Sequence, residues 1–470
     1  MIETKYLVID SAKGPALSTL AQLCAAGVDN GYTHVWVLAS AGIDPDIPYF
    51  KASKEDWDLL PTWTLKHAPS GIPNHLRSVT GYRQKHLKAV GQARNSIQII
   101  FCGPLAAWQW ARRPDLTAKQ ALNIIGSMET LLGVAINGSP GNTGYTYLQE
   151  VKRLYKNVFD MPITNDDSVK FADIPWGEAI SNILWTRVPE PEELSCKYLI
   201  RIDKNAAFPR SSVENQFGCE CVDHYVAEEA QDLWTEFGDE AKKMPGIWKI
   251  EALHGLADNT DYRFPPPLDM SRSEQWLTTP ALKTALALSP LCIDILEAWL
   301  FPKRHYILRE TMQNLWDFRQ KFKADDPRNA AFKQIMVDLP GLFRMPELVG
   351  TPKYRPDWYA QITGGNFAIM QQNIRKFAEL YGLYPVLVHI DCIMYCSDKM
   401  LVDLMPDNRT DMGHFKHELE APMTDRIRGI LSNPDLTSAT KLAALAKLND
   451  EVDYQDYDFY DDDEDEEDEE

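Results

Sequence analysis

Tyr198-Leu-Ile-Arg-Ile-Asp203-Lys-Asn-Ala-Ala-Phe208-Pro209-Arg210 decides the reading of this chain, together with Val386-Leu-Val-His-Ile-Asp391-Cys392 far downstream. In each stretch an apolar run with the composition of a buried strand carries an aspartate at its end or middle. Burying a carboxylate on a core strand costs roughly several kcal/mol unless the group is paired or binds a cation. Two such strands side by side would converge their carboxylates on a pair of divalent ions, and hard oxygen donors of this kind suit Mg²⁺ or Mn²⁺. Two ions about 4 Å apart can activate an attacking 3′-hydroxyl and stabilise a leaving pyrophosphate. Taken singly, either aspartate reads as a strand cap or as the partner of an arginine. Their order, and what lies between them, changes the odds.

The neighbouring segments supply that context. Strands are expected over 197–203 and 248–253, with the proline-rich loop Phe264-Pro-Pro-Pro267 after the second. A helical pair follows at 306–323 and 330–339, joined by the polar turn Ala324-Asp-Asp-Pro-Arg-Asn329. A long helix over 358–381 leads through Gly382 into one strand over 385–395. Upstream, strands at 6–10, 34–39 and 97–102 and an apolar-periodic helix at 15–26 suggest an α/β domain. Pro140-Gly-Asn-Thr-Gly-Tyr145 reads as a turn-rich break and Pro189-Glu-Pro-Glu-Glu193 as a linker. No internal repeat is visible.

In this order the segments resemble the palm and fingers of a family B DNA polymerase. The first palm motif of that family, Asp-x-x-Ser-Leu-Tyr-Pro-Ser, is similar to Asp203-Lys-Asn-Ala-Ala-Phe208-Pro209-Arg210, with the aromatic and the proline in register. The fingers motif, Lys-x-x-x-Asn-Ser-x-Tyr-Gly, is partly matched by Lys333-Gln-Ile-Met-Val-Asp-Leu-Pro-Gly341, behind a helix carrying Arg319, Lys321 and Lys323. The last palm motif, Asp-Thr-Asp-Ser, resembles His389-Ile390-Asp391-Cys392, and Met412-Gly-His-Phe-Lys416 followed by Glu418 resembles the Gly-x-x-Lys-x-Glu stretch beyond it. The resemblance covers about 197–420.

It implies an α/β and α+β multidomain protein. The expected parts are an N-terminal α/β domain over 1–190, either ribonuclease-H-like and exonuclease-like but inactive or of unrelated α/β architecture, and an antiparallel palm sheet with helices over 191–303 and 346–405. Short helical fingers over 304–345, a reduced thumb-like helical segment over 406–450 and a disordered acidic tail over 451–470 complete it. Asp203 and Asp391 would be catalytic and hold both ions, with the backbone carbonyl of Lys204 completing a site. Asn205, Ala206 and Ala207 would line the nucleotide, and the Phe208 ring would leave no room for a 2′-hydroxyl. Lys333 would neutralise the triphosphate, assisted by Arg319 or Lys323 from the facing helix. The implied partners are primer-template DNA, deoxynucleoside triphosphates and a priming protein or other replication factor.

Departures from the pattern point the other way. Val337 stands for the Asn and Pro340 for the Tyr of the fingers motif; His389 replaces an Asp, where a neutral imidazole lowers the negative charge beside the metals. The opening exonuclease motif Asp-x-Glu is met only by Asp10-Ser-Ala12, without the Glu. Cys219-Glu-Cys221 with His224 is too tight and too small a set for a zinc site. Gly364-Gly365 lacks the Gly-Lys-Ser/Thr of a phosphate loop and relieves crowding near the helix.

The formal charge of −20 is not evenly spread. Glu451 to Glu470 hold 14 acids and no Lys or Arg, so the rest of the chain carries only −6, which leaves room for a basic groove. The tail either solubilises the chain or mimics a phosphate backbone in that groove. No run approaches the ~18 apolar residues of a membrane span, and no basic-then-apolar leader opens the chain, so a cytoplasmic or intracellular place with no membrane partner is expected. Eight cysteines without regular spacing read as reduced thiols. Together these observations favour a template-directed DNA polymerase that lacks proofreading. The alternatives are a catalytically inactive, polymerase-derived nucleic-acid-binding or replication-partner protein, and a primase or terminal-transferase-like nucleotidyltransferase.

Overall fold

The computed structural model describes residues 6–10, 32, 34–41, 63–66, 78–83, 96–102, 106–154, 156–166, 168–236, 238–252, 261–269, 271–288, 293–405 and 411–448. The helix expected over 15–26 and the acidic tail lie outside them. The described residues group by packing into two units. The first draws on Met1–Ser181, Ala206–His254 and Ser271–Asn366; the second on Asn182–Asn205, Gly255–Met270 and Phe367–Glu470.

The first unit opens with a five-stranded sheet. Tyr6–Ile9, His34–Val37 and Ser96–Phe101 run parallel, and Ser78–Arg83 and Trp63–Lys66 extend the sheet antiparallel beyond them. The near-continuous apolar runs of its first strands suit a sheet covered on both faces. A second sheet in the same unit orders Glu274–Thr278, Gly246–Ala252, Ile293–Leu300, Cys221–Val226 and Ile163–Thr164. It packs against an aromatic cluster of Phe171, Trp176, Trp299 and Phe301.

Pro140 to Tyr145 corrects the sequence reading. It begins a helix, Pro140–Val151, and is not a break. Ser139 caps it by accepting from the Asn142 amide at 3.4 Å, and Pro140 sits in the first turn, where its missing N–H costs nothing. The glycines serve close approach: a Cβ on Gly141 would lie 2.9 Å from the Asp338 carbonyl oxygen, and one on Gly144 2.9 Å from Ile335 Cγ2. Both contacts are to the helix Pro327–Leu342, whose Phe332 packs on Phe318 of the helix Arg309–Gln320 and on Phe322 in the turn between them. Gly364 and Gly365 do relieve crowding, since a Cβ there would meet Thr278 Oγ1 at 1.8 Å and Asn215 Nδ2 at 2.0 Å.

The second unit is built on one five-stranded antiparallel sheet, ordered Phe415–Pro422, Tyr198–Lys204, Cys392–Ser397, Pro385–His389 and Leu184–Thr186. Residues 415–422, grouped by the sequence reading with the terminal helical segment, thus form an edge strand. The helices Asp425–Ser432 and Ser438–Leu448 then pack on the sheet, with Ile427, Leu431 and Leu445 meeting Leu199, Val386 and Leu387. Buried Lys441 donates from Nζ to the Leu431 carbonyl at 2.8 Å, satisfying one of the open carbonyls at that helix end. Gly382, at φ +68°, ends the helix Pro356–Tyr381 as expected. Pro189 to Glu193 does not stay a bare linker: Pro191–Leu194 is one helical turn, held by Arg187 on Glu193.

Candidate active site

Asp203 lies near the end of the strand Tyr198–Lys204, opposite Cys392 on one side and Lys416 on the other. The single strand expected over 385–395 is in fact a hairpin. The chain turns at Ile390 and Asp391, and His389 faces Cys392 across it. Ile390 takes φ +57°, a left-handed conformation that costs a β-branched residue about 1–2 kcal/mol. Two backbone bonds hold the turn: the Ile390 amide donates to the Ile183 carbonyl at 2.8 Å, and the Lys204 amide to the Asp391 carbonyl at 3.0 Å. The two aspartates that the sequence singled out therefore stand at adjoining strand ends.

Their charges interact. Burial pushes the Asp391 carboxyl up to about 8, and the Asp203 charge pushes in the same direction. Asp203 is also raised, by burial first, with Lys416 opposing. Like charges that interact across a buried site favour keeping a proton on one of them unless a cation intervenes. Lys204, buried, adds positive charge that favours ionised Asp391. The half-buried His389 imidazole is pushed down by burial and so stays neutral near pH 7.

Sequence reasoning assigned no role to the third partner, an ion network on the next strand. Lys416 Nζ lies 3.2 Å from Asp203 Oδ2 and 2.9 Å from Glu418 Oε2, while the Arg201 guanidinium reaches Glu418 Oε1 at 3.3 Å. Burial disfavours the ammonium of Lys416, yet Asp203 and Glu418 outweigh that and hold it above the ordinary lysine value. Glu418 is an extra residue in the ladder: His417 pairs with Ile202, and Leu419 with Arg201. A bulge re-aims side chains, and here it lets Glu418 serve both cations. The available signal was spacing, because Lys416 and Glu418, like Arg201 and Asp203, stand two apart on a strand and share a face. Asn205 is fixed beside this edge, its amide donating to the His414 carbonyl at 2.9 Å and its carbonyl accepting from Gly413 at 2.7 Å.

The remaining candidates lie in the first unit. Ala206 takes φ +54° and begins the helix Ala207–Glu214, in which Ala207 is buried, Phe208 half-buried and Arg210 paired with Glu214. Arg319 is half-buried and donates from Nε to Asn329 Oδ1 at 3.0 Å, tying the helical pair together; burial pushes its guanidinium down. Lys323 is exposed in the turn. Lys333 is exposed on the face of Pro327–Leu342 opposite buried Phe332, Ile335, Met336 and Leu339, and Val337 lies one turn along the same face. Pro340 is buried and offers no aromatic ring for stacking.

Cys219, Cys221 and His224 do not converge on a metal. Cys219 Sγ points to the Lys303 carbonyl at 3.6 Å, while His224 stacks on Trp299 with ring centroids 3.7 Å apart and bonds Glu297 at 2.9 Å. Among the described residues no three of His, Cys, Asp and Glu form a metal cluster. A divalent ion fits the donor chemistry of Asp203 and Asp391, two hard oxygen donors whose mutual repulsion it would relieve, with solvent or phosphate oxygens completing its shell.

No family model matches the sequence, and no curated protein matches it. The fold does have relatives among solved structures. Phi29 DNA polymerase with primer-template DNA superposes with a TM-score of 0.52 at 11% identity, over 86% of this chain and 78% of that one. The same polymerase in an orthorhombic crystal form gives 0.51 at 12% identity over the same shares. Its ternary complex with primer-template DNA and incoming nucleotides gives 0.50 at 11%, over 86% and 79%. The chain thus has a mixed α/β, multidomain fold, distantly like that of a family B DNA polymerase. No helix among the described residues is long and apolar enough to cross a membrane.

Proposed function

We propose that this chain is a template-directed DNA polymerase without proofreading, with its active site at Asp203 and Asp391. The observation that carries the reading is Asp391, presented by a strained hairpin turn beside Asp203 and held reluctant to ionise by burial and by its neighbour. Strain and raised carboxyl pKa values gather where chemistry is done. The fold likeness to a polymerase whose complexes hold primer-template DNA and nucleotides points the same way.

Asp203 and Asp391 would hold the divalent ions, Mg²⁺ or Mn²⁺, with the Lys204 carbonyl as a further oxygen donor. Bound there, such ions supply activation of a primer 3′-hydroxyl and charge stabilisation on the departing pyrophosphate. Phe208 would exclude a 2′-hydroxyl, and Asn205 to Ala207 would line the sugar and phosphates. Lys333, exposed and cationic, would meet the triphosphate; Lys323 is the freer assistant, because Arg319 is committed to Asn329. A priming protein or other replication factor remains part of this reading.

Primer extension with Mg²⁺ or Mn²⁺ tests it. Wild type should extend, and Asp391→Ala or Asp203→Ala should lose about a thousandfold or more in rate, the scale of removing transition-state charge stabilisation. Extension that survives either substitution overturns the assignment. Val337 and Pro340, in place of the fingers Asn and Tyr, favour a second reading: a polymerase-derived module that binds nucleic acid without catalysis. It expects binding that weakens steeply with salt and no incorporation under either metal.

A further inference from the structure

Lys416 occupies the place where a cation is wanted. Its ammonium bonds Asp203 at 3.2 Å and Glu418 at 2.9 Å, with Arg201 holding the far side of Glu418 at 3.3 Å. Around the paired strand ends stand three acids, Asp203, Asp391 and Glu418, and three bases, Lys416, Arg201 and Lys204. The site thus carries its own neutralising charge before any metal arrives. Lys416 is half-buried and bonds Asp203 and Glu418 through one ammonium, so it can leave Asp203 and stay on Glu418, whereas the backbone of both aspartates is pinned.

We propose that Lys416 is a positioning residue that acts as a built-in counter-ion. It holds Asp203 in place and competes with a divalent cation for it, and Glu418 is the resting place to which the ammonium withdraws when the cation binds. The inference rests on the reading of Asp203 and Asp391 as cation ligands. It goes further by making cation affinity a property of the strand Phe415–Pro422, which donates no ligand. Two charges of like sign near one carboxylate repel strongly in a partly buried setting, so removing one should tighten the hold on the other. Glu418 acts in the opposite sense, since without it the ammonium has only Asp203.

Direct Mn²⁺ titration of the full chain, read by electron paramagnetic resonance at pH 8 and low salt, separates the outcomes. Lys416→Met should bind Mn²⁺ about tenfold or more tightly than wild type, Glu418→Gln several-fold more weakly, and Lys416→Arg within about twofold of wild type. The opposite signs matter, because loss of local order would weaken binding in both variants. An unchanged or weaker Lys416→Met, with Asp391→Asn still abolishing the site, overturns this inference alone. Mn²⁺ binding that ignores Asp391→Asn overturns the ligand assignment beneath it. If Lys416→Met fails to fold, Glu418→Gln still decides: equal or tighter binding overturns the proposal.

Discussion

Asp391 binds its proton more firmly when folded than an unfolded carboxyl does, because burial and the neighbouring Asp203 both disfavour its charge. Without divalent cations its contribution to stability is fully present below the ordinary carboxylate value of 3.8 and is lost as pH rises through about 8. Asp391→Asn should therefore flatten the decline in melting temperature between pH 5 and 8, and stabilise the metal-free chain at pH 8. The expected gain is on the order of 1–3 kcal/mol, allowing for solvent around a side chain that is only partly buried. Thermal melts in chelator across that range check it, and a variant as pH-sensitive as wild type sinks it. Asp203 and Asp391 were legible in the sequence because each ends or interrupts an apolar run. Spacing places Lys416 on one face with Glu418, but its contact with Asp203 was not legible, because it depends on a cross-strand register that no local pattern encodes.

Elements were legible where a single period governs them and misread where packing overrides it. The Tyr198–Lys204 strand, the helical pair and Pro356–Tyr381 carry continuous apolar patterns and were found within a few residues. The helix Pro140–Val151 was missed because its glycines look like turn residues, although they exist to let it touch Pro327–Leu342. Gly144→Val should thus lower stability by about 1–3 kcal/mol through overpacking against Ile335 and Leu339. Gly126→Ala is the contrast: it sits in the helix Ala118–Leu132 with open space at its Cβ, and should raise stability by about 0.5–1 kcal/mol. Paired thermal or urea melts read both, and a tolerated Gly144→Val would contradict the close-packing account. The strand expected over 385–395 failed for a related reason, since its apolar run continues through Ile390 and only backbone bonds from distant segments make the chain turn there.

Charge is the property of the whole chain that the sequence states most plainly. With 14 acids gathered in 451–470 and the remainder mildly acidic at −6, deleting 453–470 should strengthen DNA binding at low salt, because a polyanion competes for the same cations. Filter binding of both forms checks this, and unchanged affinity would leave the tail a solubility role only. The likeness to phi29 DNA polymerase at 12% identity shows how little of a fold need be written as matching letters. From the sequence alone came the two aspartates on apolar stretches, the helical pair between them and their order, since burial pattern and spacing are local properties of the chain. Only the tertiary structure made Asp391 a residue of a hairpin turn and put Lys416 and Glu418 against Asp203. Strand register and a one-residue bulge are set by the summed packing of five strands, and no single segment contains that information.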